Sequence, residues 1–112
     1  MHEYSIAYDL YATSRKAAVE NNAKRVKKVS VEMGKMAMVN PEQVTFLFDT
    51  IKEEDPLFAT TVLECHETAP RSKCVCGYAG EEIFVCPQCG ALPELVKGRE
   101  IVVTNVEIEV ED

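Results

Sequence analysis

Two short cysteine pairs constrain this chain more than any other feature. Cys74-Val75-Cys76-Gly77 and Cys86-Pro87-Gln88-Cys89-Gly90 place four of its five cysteines within sixteen residues, each pair followed at once by glycine. Thiolates at this spacing can converge on one tetrahedral Zn²⁺, two ligands coming from each tight turn. A residue in the left-handed region is often needed just after such a turn, and glycine takes that conformation without steric cost. The second half has the usual two-residue gap of a zinc knuckle; the first is one residue shorter. Disulfides or unrelated free thiols are the competing reading of the same cysteines.

Composition narrows the setting. At 112 residues, 46% hydrophobic and 28% charged, the chain has the make-up of one ordinary globular domain, or of a small domain plus a metal-stapled lobe. A net charge of −7 opposes a general nucleic-acid binder, whose affinity rests on cations neutralising phosphates. No apolar run approaches a membrane span, and residues 1–20 lack a basic start followed by an apolar centre. The expectation is a cytoplasmic protein without a membrane partner, in a compartment where paired cysteines bind metal more often than they oxidise.

The pattern predicts an α+β chain. Residues 4–22 read as a helix with Ile6, Leu10, Ser14 and Ala17 on one stripe and Ala7, Tyr11 and Ala18 beside it. Residues 25–33 alternate, with Val29, Val31 and Met33 on one face, and Gly34 closes the strand. Asn40 as N-cap, Pro41 at the first helical position and Gln43 placed to reach back announce a second helix. Its apolar face is Val44, Leu47, Phe48 and Ile51, and Asp55-Pro56 stops it. Strands are expected around Thr60–Glu67 and over Ile101–Val110, where Val106, Ile108 and Val110 alternate with glutamates. Two amphipathic helices on one face of a three-stranded sheet is the economical packing for such faces. The expected division is an α/β domain from residues 1–68 and 99–112, interrupted by a zinc-ribbon lobe at 69–98 that needs metal as its own staple. Residues 68–73 and 91–99 are the expected hinges.

Met1-His2-Glu3 offers a possible second metal site. A free α-amine, the next backbone nitrogens and the His2 imidazole can close fused chelate rings, and nitrogen donors in a tetragonal plane suit Ni²⁺ or Cu²⁺. The plain alternatives are a solvated histidine at a helix start and, for Glu3, a carboxylate complementing the helix dipole.

At this point the chain resembles a known family, the HypA (HybF) nickel metallochaperones of NiFe-hydrogenase maturation. The similarity rests on Met1-His2-Glu3-Tyr4-Ser5 before a helix, Ala23-Lys24-Arg25-Val26 before a strand ending Met33-Gly34-Lys35, the Asn40-Pro41 helix with Phe46 and Phe48, the Cys86-Pro87-Gln88-Cys89-Gly90 half-site and the Val106-Glu107-Ile108 strand. The resemblance implies a nickel site on His2 with the Met1 and Glu3 backbone nitrogens, and structural zinc in the cysteine lobe. It also implies two partners, the maturation GTPase and the hydrogenase large-subunit precursor. One departure stands out: the family usually has a two-residue gap in its first cysteine pair, whereas here Lys73 occupies the expected ligand position and Cys74 lies one step closer to Cys76. Cys65 or His66 is therefore an alternative to Cys74 as a ligand, although the two point to opposite faces of a strand.

Other candidates have plainer readings. Met33 reads as core, while Met36 and Met38 sit in a loop suited to a soft metal or a partner contact. Asp49, Glu53, Glu54 and Asp55 have no nucleophile or matched acid beside them, and no P-loop is present. The sequence thus points to a non-enzymatic nickel carrier. A zinc-ribbon adaptor, or a zinc enzyme with an open coordination position, are the rival classes.

Overall fold

The computed structural model describes residues 2–111, apart from the side chain of His2. Helix α1 (His2–Glu20) leads into strand β1 (Ala23–Gly34), helix α2 (Pro41–Lys52) and strand β2 (Val62–Thr68). Three short strands follow, β3 (Arg71–Lys73), β4 (Ala79–Gly80) and β5 (Glu94–Lys97), and the chain returns as β6 (Ile101–Val110). The long strands form one sheet in the order β2-β1-β6, and the short ones a second sheet in the order β4-β3-β5. β1 and β2 run parallel, joined through α2, while β6 pairs antiparallel to β1.

The helices form where the pattern placed them, with small shifts at their ends. α1 stops two residues earlier than the apolar stripe suggested. The Asn21 side chain bonds back to the Ala17 carbonyl at 2.7 Å, and Asn22 turns the chain out at φ 56°. Asn40 caps α2 as expected, its side-chain oxygen accepting from the N–H of Glu42 at 2.9 Å and of Gln43 at 3.4 Å. Gln43 therefore contributes its backbone, and no return bond from its side chain occurs among the described residues. Ala7, Leu10, Ser14 and Ala18 of α1 and Val44 and Phe48 of α2 are buried against Val26, Val29, Val31, Met33 and Leu63 of the sheet. The Ser14 hydroxyl is satisfied inside its own helix by the Leu10 carbonyl at 2.7 Å.

Three register shifts interrupt the β1–β6 pairing, at Ala23/Arg25, Val26/Lys28 and Ser30/Val31, and the last two bear most on the core face. A register shift between Val26 and Lys28 puts Val26 on the same face as Val29. A second shift opposite Ser30 and Val31 lets Ile101 and Val103 share the core face with Val106 and Ile108. The Thr104 hydroxyl bonds the Ser30 carbonyl at this second bulge, at 3.2 Å. Val110, expected on the core face, is instead 49% exposed at the end of the strand. The opposite face of the sheet is charged and solvated, with Arg25 pairing Glu109 at 2.8 Å and Lys28 pairing Glu64 at 3.6 Å.

Asp55 lies three residues beyond the end of α2 and caps the next turn. Its carboxylate accepts from the Leu57 N–H at 3.0 Å, from the Tyr11 hydroxyl at 2.6 Å and from Arg15 Nε at 3.2 Å. That cluster clamps α1 to the turn carrying the fully buried Phe58, whose ring lies 5.0 Å from that of Tyr11. Burial opposes the Asp55 charge, but the Tyr11, Leu57 and Arg15 donors outweigh it and hold its pKa below the ordinary value. Tyr11→Phe should then cost about 1.5–3 kcal/mol in urea unfolding at pH 7, the worth of a hydrogen bond to a charged group. Because the folded pKa of Asp55 is depressed, the stability it adds is present above the unfolded carboxylate pKa and is lost as pH falls through the folded one. The penalty should therefore shrink at about pH 3, where unfolded aspartate is mostly protonated. A penalty equal at both pH values would refute the charge-assisted bond.

The two sheets meet through backbone contacts. The N–H of Gly34 bonds the Glu100 carbonyl at 2.8 Å, and the N–H of Met36 bonds the Gly98 carbonyl at 2.8 Å. A Cβ on Gly34 would lie 2.1 Å from the Gly98 carbonyl oxygen, so only glycine permits this approach. The segments expected as hinges, 68–73 and 91–99, in fact carry β3 and β5. Gly34→Ala should destabilise the protein by about 3 kcal/mol, the upper range for overpacking against an unyielding neighbour. Thermal unfolding indistinguishable from the wild type would show that the junction yields.

Candidate metal centre

β3 delivers Cys74 to the start of a four-residue turn. The N–H of Cys74 bonds the Tyr78 carbonyl at 2.8 Å, and the Gly77 N–H returns to the Cys74 carbonyl at 2.9 Å. The second loop is built alike but one residue longer: the Cys86 N–H bonds the Ala91 carbonyl at 2.8 Å, and the Gly90 N–H bonds the Cys86 carbonyl at 2.9 Å. Gly77 at φ 101° and Gly90 at φ 76° take the left-handed conformation that the sequence required of them. A side chain would have free space at either position, so the backbone angle alone is what demands glycine.

These turns bring the sulfurs of Cys74, Cys76, Cys86 and Cys89 within 4.8 Å of one another. Cys74 and Cys89 stand 3.5 Å apart across the loops, as do Cys76 and Cys86. Four sulfurs placed tetrahedrally at about 2.3 Å from Zn²⁺ would be about 3.8 Å apart, close to the spacing here, so a small adjustment fits the ion. The shortened first pair therefore does not prevent convergence. Cys65 and His66 lie elsewhere: Cys65 is half-buried on β2 with its sulfur 4.0 Å from the Thr45 hydroxyl. Burial pushes its thiol pKa up, the behaviour of a core cysteine. The His66 Nε2 lies 2.6 Å from Glu64 on the exposed face of the sheet.

Electrostatics within the cluster are uneven. Burial opposes ionising Cys86, yet the N–H groups of Cys89 and Gln88 and the neighbouring thiols outweigh it and bring its pKa down to about 6. Cys89 receives the Ala91 N–H, but its contacts with the Cys74, Cys76 and Cys86 thiols, together with desolvation, push it up to about 12. Cys74, Cys76, Cys86 and Cys89 would hold a soft or borderline cation through their thiolates, with release of the thiol protons.

Of the expected nickel ligands, Met1 and the His2 side chain fall outside the described residues; Glu3 lies half-buried in the first turn of α1. Met33 is core, with 1% of its surface exposed, and Met38 is 82% exposed at φ 59°. Sequence reasoning did not single out Gln88, whose side-chain oxygen lies 3.5 Å from the Cys76 sulfur of the other loop. Its position inside the second pair was the available signal, but its reach to the other loop depends on how the loops fold together.

A family described as "Hydrogenase/urease nickel incorporation, metallochaperone, hypA" matches residues 1–108. A curated relative from Methanocella arvoryzae, named hydrogenase maturation factor HypA, is 39% identical over 114 residues, covering 98% of this chain and 100% of that protein. One of the same name from Aquifex aeolicus is 33% identical over 117 residues, covering 99% and 100%. The solution structure of the Ni metallochaperone HypA from Helicobacter pylori shares the fold at a TM-score of 0.75 and 22% identity, over 97% of this chain and 98% of that one. The small α+β scaffold is what the solved structure has in common with this chain. The chain belongs to the HypA family, the metallochaperones of nickel incorporation into hydrogenase.

Proposed function

We propose that this protein is a non-enzymatic carrier of Ni²⁺ that delivers the ion to the NiFe-hydrogenase large-subunit precursor, working in the cytoplasm with the maturation GTPase. The end-to-end family match over residues 1–108 carries this reading. Nickel is the cargo: the His2 imidazole and backbone nitrogens from Met1 to Glu3 hold it in an open, tetragonal arrangement. A terminal site without a closed cage suits transfer, because an incoming ligand can attach before the outgoing one leaves. Cys74, Cys76, Cys86 and Cys89 hold a structural Zn²⁺, which staples a lobe at 69–98 inserted into an α/β nickel domain of residues 1–68 and 99–112. Support for the zinc assignment comes from the convergence of four sulfurs and from the lobe's lack of any share in the apolar core. With four sulfur ligands the zinc has no open position for catalysis.

The test is a metal count on two forms of the protein, one with its native start and one carrying a short N-terminal extension, both equilibrated with Ni²⁺. One zinc per chain in both forms, with nickel only in the first, supports the proposal. Equal nickel in both moves the cargo site into the body of the protein, and nickel in neither leaves a zinc-scaffold adaptor as the better reading.

A further inference from the structure

Little besides its cysteines holds the lobe at 69–98 together. None of its side chains joins the apolar cluster, and Phe84 and Val85, just ahead of the second cysteine loop, are largely exposed. The segment that joins the two cysteine loops has only β4 as regular structure, and β4 pairs with β3 no further than Gly80, opposite Ser72. Beyond that point a polar side chain takes over. Ser72 is 3% exposed, and its hydroxyl lies 2.5 Å from the Glu82 carbonyl oxygen and 3.2 Å from that of Gly80. Tyr78 closes on the same segment: its hydroxyl accepts the Glu82 N–H at 3.4 Å, and its ring covers Gly80 so closely that a Cβ there would collide with it. Both backbone polar groups of Glu82, four residues before Cys86, are thus engaged by side chains from the strand and turn that carry Cys74 and Cys76.

We infer that Ser72 is a positioning residue for the metal centre, with Tyr78 as its second arm: it fixes the segment between the cysteine loops and so sets how the two cysteine pairs face each other. The inference rests on the zinc reading above. Each pair is already shaped by its own backbone bond, Gly77 to Cys74 and Gly90 to Cys86, but those bonds lie within single turns and leave the angle between the turns open. Ser72 reaches from the strand leading into the first turn to the approach of the second, and so bears on that angle. The energetic link is the coupling of folding to metal. A lobe this small orders with its ion, so a contact made only in the ordered lobe adds to the apparent metal affinity. A buried hydroxyl bonded to carbonyls is such a contact, and its loss leaves an acceptor without a donor.

The experiment compares wild type with Ser72→Ala, and Ser72→Thr with Ser72→Val, by zinc competition against a chromophoric chelator and by the d–d bands of the Co²⁺-substituted proteins, which report the angles between ligands. Ala should bind zinc about tenfold more weakly than wild type, the effect of one lost hydrogen bond in a lobe that folds on its metal. Thr and Val have the same outline and share any crowding at this buried position, so their difference isolates the hydroxyl. Thr should bind zinc about tenfold more tightly than Val. The cobalt bands should differ within each pair, and Tyr78→Phe should fall between wild type and Ala, its bond to Glu82 being the longer one. Equal zinc affinity within both pairs would overturn the inference while leaving the zinc site standing. Weakened Ala and Val whose cobalt bands match those of their hydroxyl-bearing counterparts would also overturn it, because a residue that merely stabilises the lobe lowers affinity without changing the ligand angles. Absence of stoichiometric zinc in the wild type would remove the zinc reading, and this inference with it.

Discussion

His2→Ala should abolish stoichiometric Ni²⁺ binding and leave zinc content and melting temperature unchanged. The imidazole is the sole side-chain nitrogen in Met1-His2-Glu3, so its loss opens a chelate ring that backbone nitrogens cannot close alone. Alanine is the best helix former, so α1, which begins at this residue, should keep its structure. In the wild type, nickel affinity should fall as pH drops through the ordinary imidazole range near about 6.5, because each bound nitrogen must first lose its proton. Isothermal titration at pH 7.5 and 6 checks both statements. Full nickel binding by the variant would place the cargo elsewhere. His66, exposed on β2 against Glu64, would then be the first residue to replace.

Cys86→Ala should reduce zinc from one ion per chain to none and unfold the cysteine lobe while the α/β sheet survives. Cys86 is 2% exposed and sits where both loops meet. The lobe's strands number three, two and four residues, and none of its side chains belongs to the main apolar cluster. An isolated sheet of that size does not hold itself together, and a structural zinc is worth about 10–16 kcal/mol of apparent binding energy at pH 7. The core around Phe48, Phe58 and Val29 owes nothing to the metal. Hydrogen exchange should then show protection lost over 71–97 and kept in β1, with metal analysis giving the zinc count. Persistent protection of β3 and β5 in the variant would mean that the backbone junction at Gly34 and Gly98, not the ion, orders the lobe.

The order of the principal elements was legible because each carries a local signal. Asn40-Pro41 caps α2 by short-range hydrogen bonding, and the valines of β1 announce a half-buried strand. The bulges were not legible. They arise from matching β1 to β6, residues far apart in the chain, and they reverse the inward-facing parity at Val26 and again after Val103. The same holds for the Tyr11–Asp55 bond, which joins helix and turn across 44 positions. The sequence offered Asp55 as part of a helix stop and as one acid among several, not as a partner of Tyr11.

What the sequence determined by itself is the chemistry on offer: four thiols in two glycine-ended turns, an imidazole at position 2, and apolar faces that need one sheet and two helices to cover them. Covalent spacing dictates these, because a turn of three or four residues leaves its ligands few directions to point. Only the tertiary structure decided that Cys74 joins the cluster despite its shortened loop and that Cys65 does not. Likewise it alone set Gln88 against a sulfur of the other loop and packed the supposed hinges backbone to backbone. Those outcomes depend on distances between segments remote in sequence, which are fixed when the sheets form and the loops are drawn together.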